Sequence, residues 1–308
     1  MNQNSYHQRI GSTIEKLSDP KTYDLVCHEH RLGEPMPSIQ KLSRIVELVR
    51  EIIFPGYFGN TSLRPNTIQH YMGVYVDELY QLLSDEILAG LCFECTDQSE
   101  NKMARHSEMA KQMALDFIDY LPEIRRKLVN DVNSIFLGDP AAVSFGEVIF
   151  CYPAIKAITN YRVAHRLYEL KVPLIPRYIS EMAHSETGID IHPRAQIGEY
   201  FTIDHGTGVV IGSTCIIGNN VKIFQGVTLG AKSFELDVNG NPVKGIPRHP
   251  IVEDNLIIYA GATILGRITI GKNSIIGGNV WVTRDLPPNS KVAQSRHREH
   301  NFLDGAGI

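Results

Sequence analysis

Residues 189–230 read IDIHPRAQIGEYFTIDHGTGVVIGSTCIIGNNVKIFQGVTLG, and a six-residue beat runs through them. Stepping by six from Ile191 gives Ile197, Ile203, Val209, Cys215, Val221 and Val227, all apolar. Four places after the first six of these sit Ala195, Phe201, Thr207, Ser213, Asn219 and Gln225, which are small, amide or aromatic. The beat is then lost and resumes out of phase at Val252, Ile258, Ile264, Ile270, Ile276 and Val282. Helical patterns repeat about every 3.6 residues and strand patterns every second residue, so neither explains steps of six. A sustained hexapeptide period is the signature of a parallel β-helix, in which each step is a short strand plus a turn and sends one apolar residue into a shared core. Gly198, Gly212, Gly218, Gly266, Gly271 and Gly277 fall at the expected corners, where a positive φ costs glycine little.

The interruption is itself informative. Residues 231–247 contain Asp237, Asn239, Gly240, Asn241, Pro242, Gly245 and Pro247, which is loop chemistry. A long excursion therefore leaves the solenoid wall and returns at Arg248-His249-Pro250. Loops of that length in a compact domain are usually functional or disordered.

Upstream the period changes to that of helices. Ser38 to Ile53 places Leu42, Ile45, Val46, Val49 and Ile52 on one face and stops at Pro55-Gly56. Further helices are expected from Thr67 to Cys92, from Asn101 to Phe136 with an interruption near Pro122, from Ser144 to Leu170 with a break at Pro153, and after Pro176. The fold class is thus α+β: an α-helical domain over residues 1–187, a parallel β-helix over 188–287 with its excursion at 231–247, and a polar, flexible tail over 288–308.

Composition excludes several function classes. The 308 residues are 43% hydrophobic and 21% charged, and the net charge is −4 with no Lys/Arg-rich run, which gives no footprint for nucleic acid. No apolar run reaches the length of a membrane span, and MNQNSYHQRI does not read as a signal peptide, so a cytoplasmic location is expected. The five cysteines form no disulfide framework, and Cys92-Phe-Glu-Cys95, without a second pair, reads as two ordinary helix thiols.

Two histidines, His192 and His205, fall inside the beat, with Asp190 and Asp204 beside them. Residues of neighbouring coils lie close in space, so Asp190 can approach His205 across a turn. A carboxylate on one imidazole nitrogen fixes the tautomer and leaves the other nitrogen basic, as a general base requires. From spacing alone, an ordinary surface or core histidine is the favoured reading of His205. Likewise Asp139 before Pro140 fits a helix N-cap, Arg248 a loop cation and Asp204 a turn residue.

The stretches Asp190-Ile-His-Pro-Arg-Ala-Gln-Ile-Gly198, Ile203-Asp-His-Gly-Thr-Gly208, Val227-Thr-Leu-Gly230, Arg248-His249-Pro250 and Asp139-Pro140-Ala141 together resemble the serine O-acetyltransferases, a hexapeptide-repeat acyltransferase family. The resemblance implies a left-handed β-helix below a helical domain, and transfer of acetyl from acetyl-CoA to the hydroxyl of L-serine, the first step of cysteine biosynthesis. It implies His205 as general base with Asp190 as its orienting partner, and Asp139 and Asp204 as acceptors for the serine ammonium. Arg248 would pair with the serine carboxylate, with His249 beside it. His192 matches a motif position but is expected to be structural. Acetyl-CoA is expected in the groove between neighbouring β-helices, against Gly230, Ala231, Ala260, Gly261, Ala262 and Gly278, with no metal. A homotrimer or dimer of trimers is implied. So is a complex with O-acetylserine sulfhydrylase through the terminal Ile308 of Asp304-Gly-Ala-Gly-Ile308. Departures are the excursion after Gly230 and Val292-Ala-Gln-Ser-Arg296, where members often carry Gly-X-Pro-Ala. Two alternatives share the architecture: an acetyltransferase with another hydroxyl acceptor, and a metal lyase like the γ-type carbonic anhydrases, with His192 and His205 as ligands.

Overall fold

The structure is a computed structural model that describes residues 3–28, 34–59, 63–93, 95, 99 and 101–294. The chain divides into two compact units, Met1–Pro35 and Met36–Ile308. In the first unit lie α1 (Gln3–Leu17) and α2 (Pro20–Tyr23), the latter capped by Asp19, whose side chain accepts the Lys21 N–H. The tail residues His297, His300 and Ile308 lie outside the described residues.

The second unit begins with α3 (Ile39–Ile53), α4 (Ile68–Phe93), α5 (Lys102–Asp119), α6 (Leu121–Gly138), α7 (Phe145–Cys151), α8 (Pro153–Glu169) and α9 (Ile175–Thr187). Ser38 caps α3 by accepting the Lys41 N–H, and Leu42, Ile45, Val46, Val49 and Ile52 are all buried, as their spacing predicts. The breaks expected at Pro122 and Pro153 are real boundaries: each proline sits in the first turn of a new helix, where its missing N–H costs nothing. Asp139 is the C-cap of α6 rather than the N-cap of the next helix, which Ser144 caps instead.

From Asp190 the described residues wind into a solenoid of fourteen short strands; each strand up to β10 pairs in parallel with the one three later, and β12 pairs with β14. One wall stacks β1 (Asp190–Ile191), β4 (Val210–Ile211), β7 (Thr228–Gly230), β10 (Thr263–Leu265) and β13 (Trp281–Val282). A second stacks β2 (Gln196–Ile197), β5 (Ile216–Ile217), β8 (Ile251–Val252) and β11 (Thr269–Ile270). The third stacks β3 (Thr202–Asp204), β6 (Lys222–Phe224), β9 (Ile257–Ile258), β12 (Ile275–Ile276) and β14 (Lys291–Val292). The last strand carries the solenoid past Pro287, into the segment that the sequence assigned to the tail.

All thirteen residues of the beat are buried, yet they occupy two structural columns. Ile191, Ile197 and Ile203 are strand residues, and the register pairs them with Ile211, Ile217 and Ile223. Val209, Cys215, Val221 and Val227 sit two places earlier, at the corners. The step from Ile203 to Ile211 is therefore eight residues, two more than the repeat, and the additional pair falls around His205-Gly206. From Leu229 to Val252 the step is 23 residues, 17 beyond the repeat, which is the length of the excursion 231–247.

Five of the six expected corner glycines have ordinary backbone angles, and only Gly266 has a positive φ. They are required by close packing: a Cβ on Gly198 would stand 2.7 Å from the Gly218 carbonyl oxygen, and one on Gly212 would overlap the His249 ring. Left-handed corners are instead filled largely by asparagine, which tolerates them better than most side chains. Asn220, Asn255, Asn273 and Asn289 all have positive φ and form a ladder, each donating from Nδ2 to the next Oδ1 at 2.9, 3.2 and 3.2 Å.

Helices α6 and α8 clamp the first coil. Arg126 makes a bidentate pair with Glu199, and Tyr161 donates its hydroxyl to the Ala195 carbonyl at 2.7 Å. Arg162 joins the buried Asp131 at 2.7 Å, and Asp131 also accepts the Phe201 N–H at 2.9 Å. Burial pushes the Asp131 carboxyl up to about 6, with Arg162 opposing that shift.

Candidate active site

The corner between the β3 and β4 walls carries the first group of candidates. The two inserted residues force a sharp turn, in which His205 (φ +57°) and Gly206 (φ +88°) both adopt left-handed conformations. A Cβ at Gly206 would overlap Ile189, so glycine is required there on two counts. The bulge lifts His205 off the wall, and its side chain is 74% exposed. That makes it one of the few ring nitrogens of the solenoid open to an incoming molecule.

Asp204, the last residue of β3, places Oδ1 3.6 Å from His205 Nε2. Its Oδ2 pairs with Lys222 Nζ at 3.1 Å, and Lys222 also donates to the Gly138 carbonyl at 2.9 Å. This lysine ties the end of α6 to the solenoid wall and brings Asp139 to the same corner. Asp139 accepts the Tyr152 hydroxyl at 2.7 Å and the Ala141 N–H at 2.8 Å. The Tyr152 bond holds the Asp139 carboxyl below its usual range, and the same bond pushes the Tyr152 phenol up to about 12. Asp139 is thus an ionised acceptor with lone pairs to spare.

Asp190 opens β1, one coil below His205. No ion pair within 4 Å joins the two among the described residues. Asp190 instead groups with Glu181 and His184 of α9, ligand atoms of all three lying within 4.8 Å of one another. His184 Nδ1 is 3.1 Å from Glu181, and Glu181 is also paired with Arg177.

The second group stands at the next corner, where the excursion re-enters the wall at β8. His249 is buried over Gly212, and its Nδ1 accepts the Thr214 N–H at 3.2 Å. The Thr214 hydroxyl accepts the Arg248 and His249 N–H groups at 2.9 and 3.1 Å, so its own proton points to His249 Nδ1, 2.8 Å away. Burial lowers the His249 imidazole to about 4, and it stays neutral with its proton on Nε2: a fixed hydrogen-bond donor. His192 lies in the same region; burial takes it to about 4 as well, and its Nδ1 accepts the Arg194 N–H at 3.0 Å.

His205, Asp204 and Asp139 therefore share one corner, and Arg248 and His249 share another. His192 and His205, the ligand pair of the metal-lyase alternative, stand at different corners and do not converge. The residues expected against acetyl-CoA divide in the same way. Ala260, Gly261 and Gly278 lie along the His205 corner, and Gly230 and Ala231 lie at the root of the excursion. Ala262 is fully buried, with its N–H bonded to Tyr259 and its carbonyl taken by Thr228, so it shapes the corner from inside.

Sequence reasoning passed over Tyr152, Lys222 and Thr214. Lys222 had a signal, since it is a lone cation on a coil whose neighbours are apolar or amide. Tyr152 and Thr214 had none, because their partners are distant in sequence.

Comparison with known proteins agrees with this architecture. The family described as bacterial transferase hexapeptide (six repeats) matches residues 249–284. A plasmid-borne serine acetyltransferase of Synechococcus elongatus is 48% identical over 304 residues, covering 97% of this chain and 95% of that protein. The serine acetyltransferase of Bacillus subtilis is 48% identical over 167 residues, 54% of this chain and 73% of that one. Among solved structures, serine acetyltransferase 1 of Entamoeba histolytica in complex with L-cysteine superposes with a TM-score of 0.72 at 34% identity, covering 91% of this chain and 94% of that one. The Neisseria gonorrhoeae serine acetyltransferase in complex with serine gives 0.53 at 26% identity, covering 83% and 97%. A helical region running into a parallel hexapeptide solenoid, with 48% identity over nearly the whole of a serine acetyltransferase, places this chain in the serine acetyltransferase family of acyltransferase enzymes.

Proposed function

We propose that the protein transfers acetyl from acetyl-CoA to the L-serine hydroxyl by direct attack, with His205 as general base, and so supplies O-acetyl-L-serine for cysteine synthesis. The observation that carries this reading is the exposed imidazole of His205, raised on its two-residue bulge beside the carboxylates Asp204 and Asp139. The serine ammonium binds these two carboxylates. Its hydroxyl proton passes to His205 as the oxygen attacks the thioester carbonyl, and the same proton is returned to the departing CoA sulfur. The exposed His205 ring has room to turn towards Asp190, which would then hold its tautomer.

Arg248 and His249 complete the site from a second copy of the chain. On one chain they occupy a different corner from His205. A rotationally symmetric assembly brings the first corner of one copy against the second corner of the next. Arg248 then clamps the serine carboxylate, and the Nε2–H of His249 is available as a donor to the developing oxyanion. The same packing lays Gly230 and Ala231 of one copy opposite the Ala260, Gly261 and Gly278 track of its neighbour, and the pantetheine arm runs between them. Backbone this bare lets a thin ligand approach closely; Gly226, for example, has a positive φ and packs against Gly261.

The test is free-thiol release from acetyl-CoA by the purified protein with L-serine, L-homoserine or no acceptor. Serine-dependent release supports the reading, and release with homoserine alone keeps the chemistry but replaces the acceptor. The docking of Ile308 into O-acetylserine sulfhydrylase is tested separately, by deleting Ile308 and following co-purification. Undiminished binding would rule that contact out.

A further inference from the structure

The excursion 231–247 folds as a small hairpin. Leu236 and Pro242 form an antiparallel bridge, and the Asp237 carboxylate accepts the N–H groups of Asn239 and Asn241 at 2.8 and 2.9 Å. Two contacts tie it back to the solenoid corner. Arg194 donates to the Gly245 carbonyl at 3.3 Å, and the guanidinium carbon of Arg248 lies 5.6 Å from the centre of the Phe234 ring. The backbone of Arg248 is fixed by the Thr214 hydroxyl, while its side-chain Nε is buried without a hydrogen-bond partner.

That combination is unusual for an arginine. A buried guanidinium nitrogen is costly unless something compensates it. An acidic or carbonyl partner would do so by consuming the donors that make arginine useful for a carboxylate. An aromatic face attracts the cation through its quadrupole and leaves all five N–H donors free. Phe234 does this from a loop that otherwise exposes its apolar side chains: Phe234 is 58% exposed, Leu236 62% and Val238 100%.

We infer that Phe234 is a positioning residue for the acceptor site: the hairpin presents its ring to Arg248, aims the guanidinium fork and keeps it unspent for the carboxylate of the amino-acid acceptor. This rests on the reading of Arg248 given above. It explains why the long insertion sits directly before Arg248, and why Arg194 pins its returning end through Gly245.

Steady-state kinetics on the full-length oligomer test the inference. Phe234→Ala should raise KM for L-serine about 3- to 10-fold, leaving kcat and KM for acetyl-CoA within about twofold of wild type. Phe234→Leu, which keeps bulk but has no quadrupole, should behave like the alanine variant, and Phe234→Tyr and Phe234→Trp should stay near wild type. Arg248→Gln should raise the same KM further, and adding Phe234→Ala to it should change little, because the two act as a unit. Thermal melts of the variants should coincide with wild type, since the ring is largely exposed. An unchanged serine KM in Phe234→Ala, or a wild-type KM in Phe234→Leu, overturns the role of Phe234 while leaving Arg248 in place. An unchanged KM in Arg248→Gln removes the Arg248 reading, and the present inference falls with it.

Discussion

His205 and His249 stand at two corners of one triangular solenoid, on different coils, and each sits where the six-residue step is broken, by two residues before Ile211 and by seventeen before Val252. The short insertion throws His205 outward in a left-handed conformation with its ring in solvent. The long one folds over its own corner and leaves His249 buried, neutral and bonded to Thr214. A base must change its charge in each turnover and needs access, whereas an electrostatic donor is most useful when its protonation never varies. In the proposed mechanism the solenoid supplies rigid spacing, and its interruptions supply the chemistry.

Substitutions that treat the two corners differently should separate these roles. The largest effect is expected at His205: His205→Ala should lower kcat for serine acetylation by about 10²- to 10⁴-fold with little change in serine KM, read by thiol release. A fall below tenfold would leave His205 as a binding residue. Gly206→Ala attacks the bulge itself. Its Cβ meets Ile189 in a left-handed backbone, so we expect about 1–3 kcal/mol of lost stability in denaturant unfolding, together with reduced kcat. At the other corner, Thr214→Val strips the hydroxyl from three hydrogen bonds and should cost about 1–2 kcal/mol, raising serine KM more than it lowers kcat.

The smallest effect concerns pH. His249 titrates near 4 when folded against about 6.5 in the unfolded chain, so between these values the unfolded state binds more protons. Its contribution to stability is intact above pH 6.5 and lost as pH falls towards 4. The burial-raised Asp131 acts in the opposite sense over part of this window, so the readout is the difference between wild type and His249→Gln. That difference should shrink on acidification by an amount on the order of 1 kcal/mol. No pH dependence in the difference would mean that His249 is not held neutral.

Much of this was legible in the sequence. The hexapeptide beat announced the solenoid because burial of one residue per step leaves a periodic trace, and the proline-marked helix boundaries at Pro122 and Pro153 were similarly local. The excursion was visible because loop residues replace apolar ones over its whole extent. The bulge at His205 was passed over for a physical reason. Corner residues such as Val209 and strand residues such as Ile211 are equally buried, so a slip of two moves the beat from one column to the other without changing its hydrophobicity. Corner glycines were assigned to backbone freedom, while the structure uses most of them for close approach of coils and gives the left-handed corners to the asparagine ladder. The division of the site between corners was also hidden, because a motif list carries no angular position. The partners of Asp139 and Asp204, namely Tyr152 and Lys222, come from elements that meet only after α6 docks on the first coil.

In the proposed assembly one site draws His205 from one copy and Arg248 from another, and mixed assemblies test this most directly. His205→Ala and Arg248→Gln chains should be co-expressed with different tags, purified through both and assayed at serine well below the raised KM of Arg248→Gln, where each variant alone has little activity. In a trimeric ring that holds both kinds of chain, one site in three has both wild-type residues, so activity should return to about a third of wild type. Activity no higher than the sum of the two single variants would contradict the shared site and confine the chemistry to one chain.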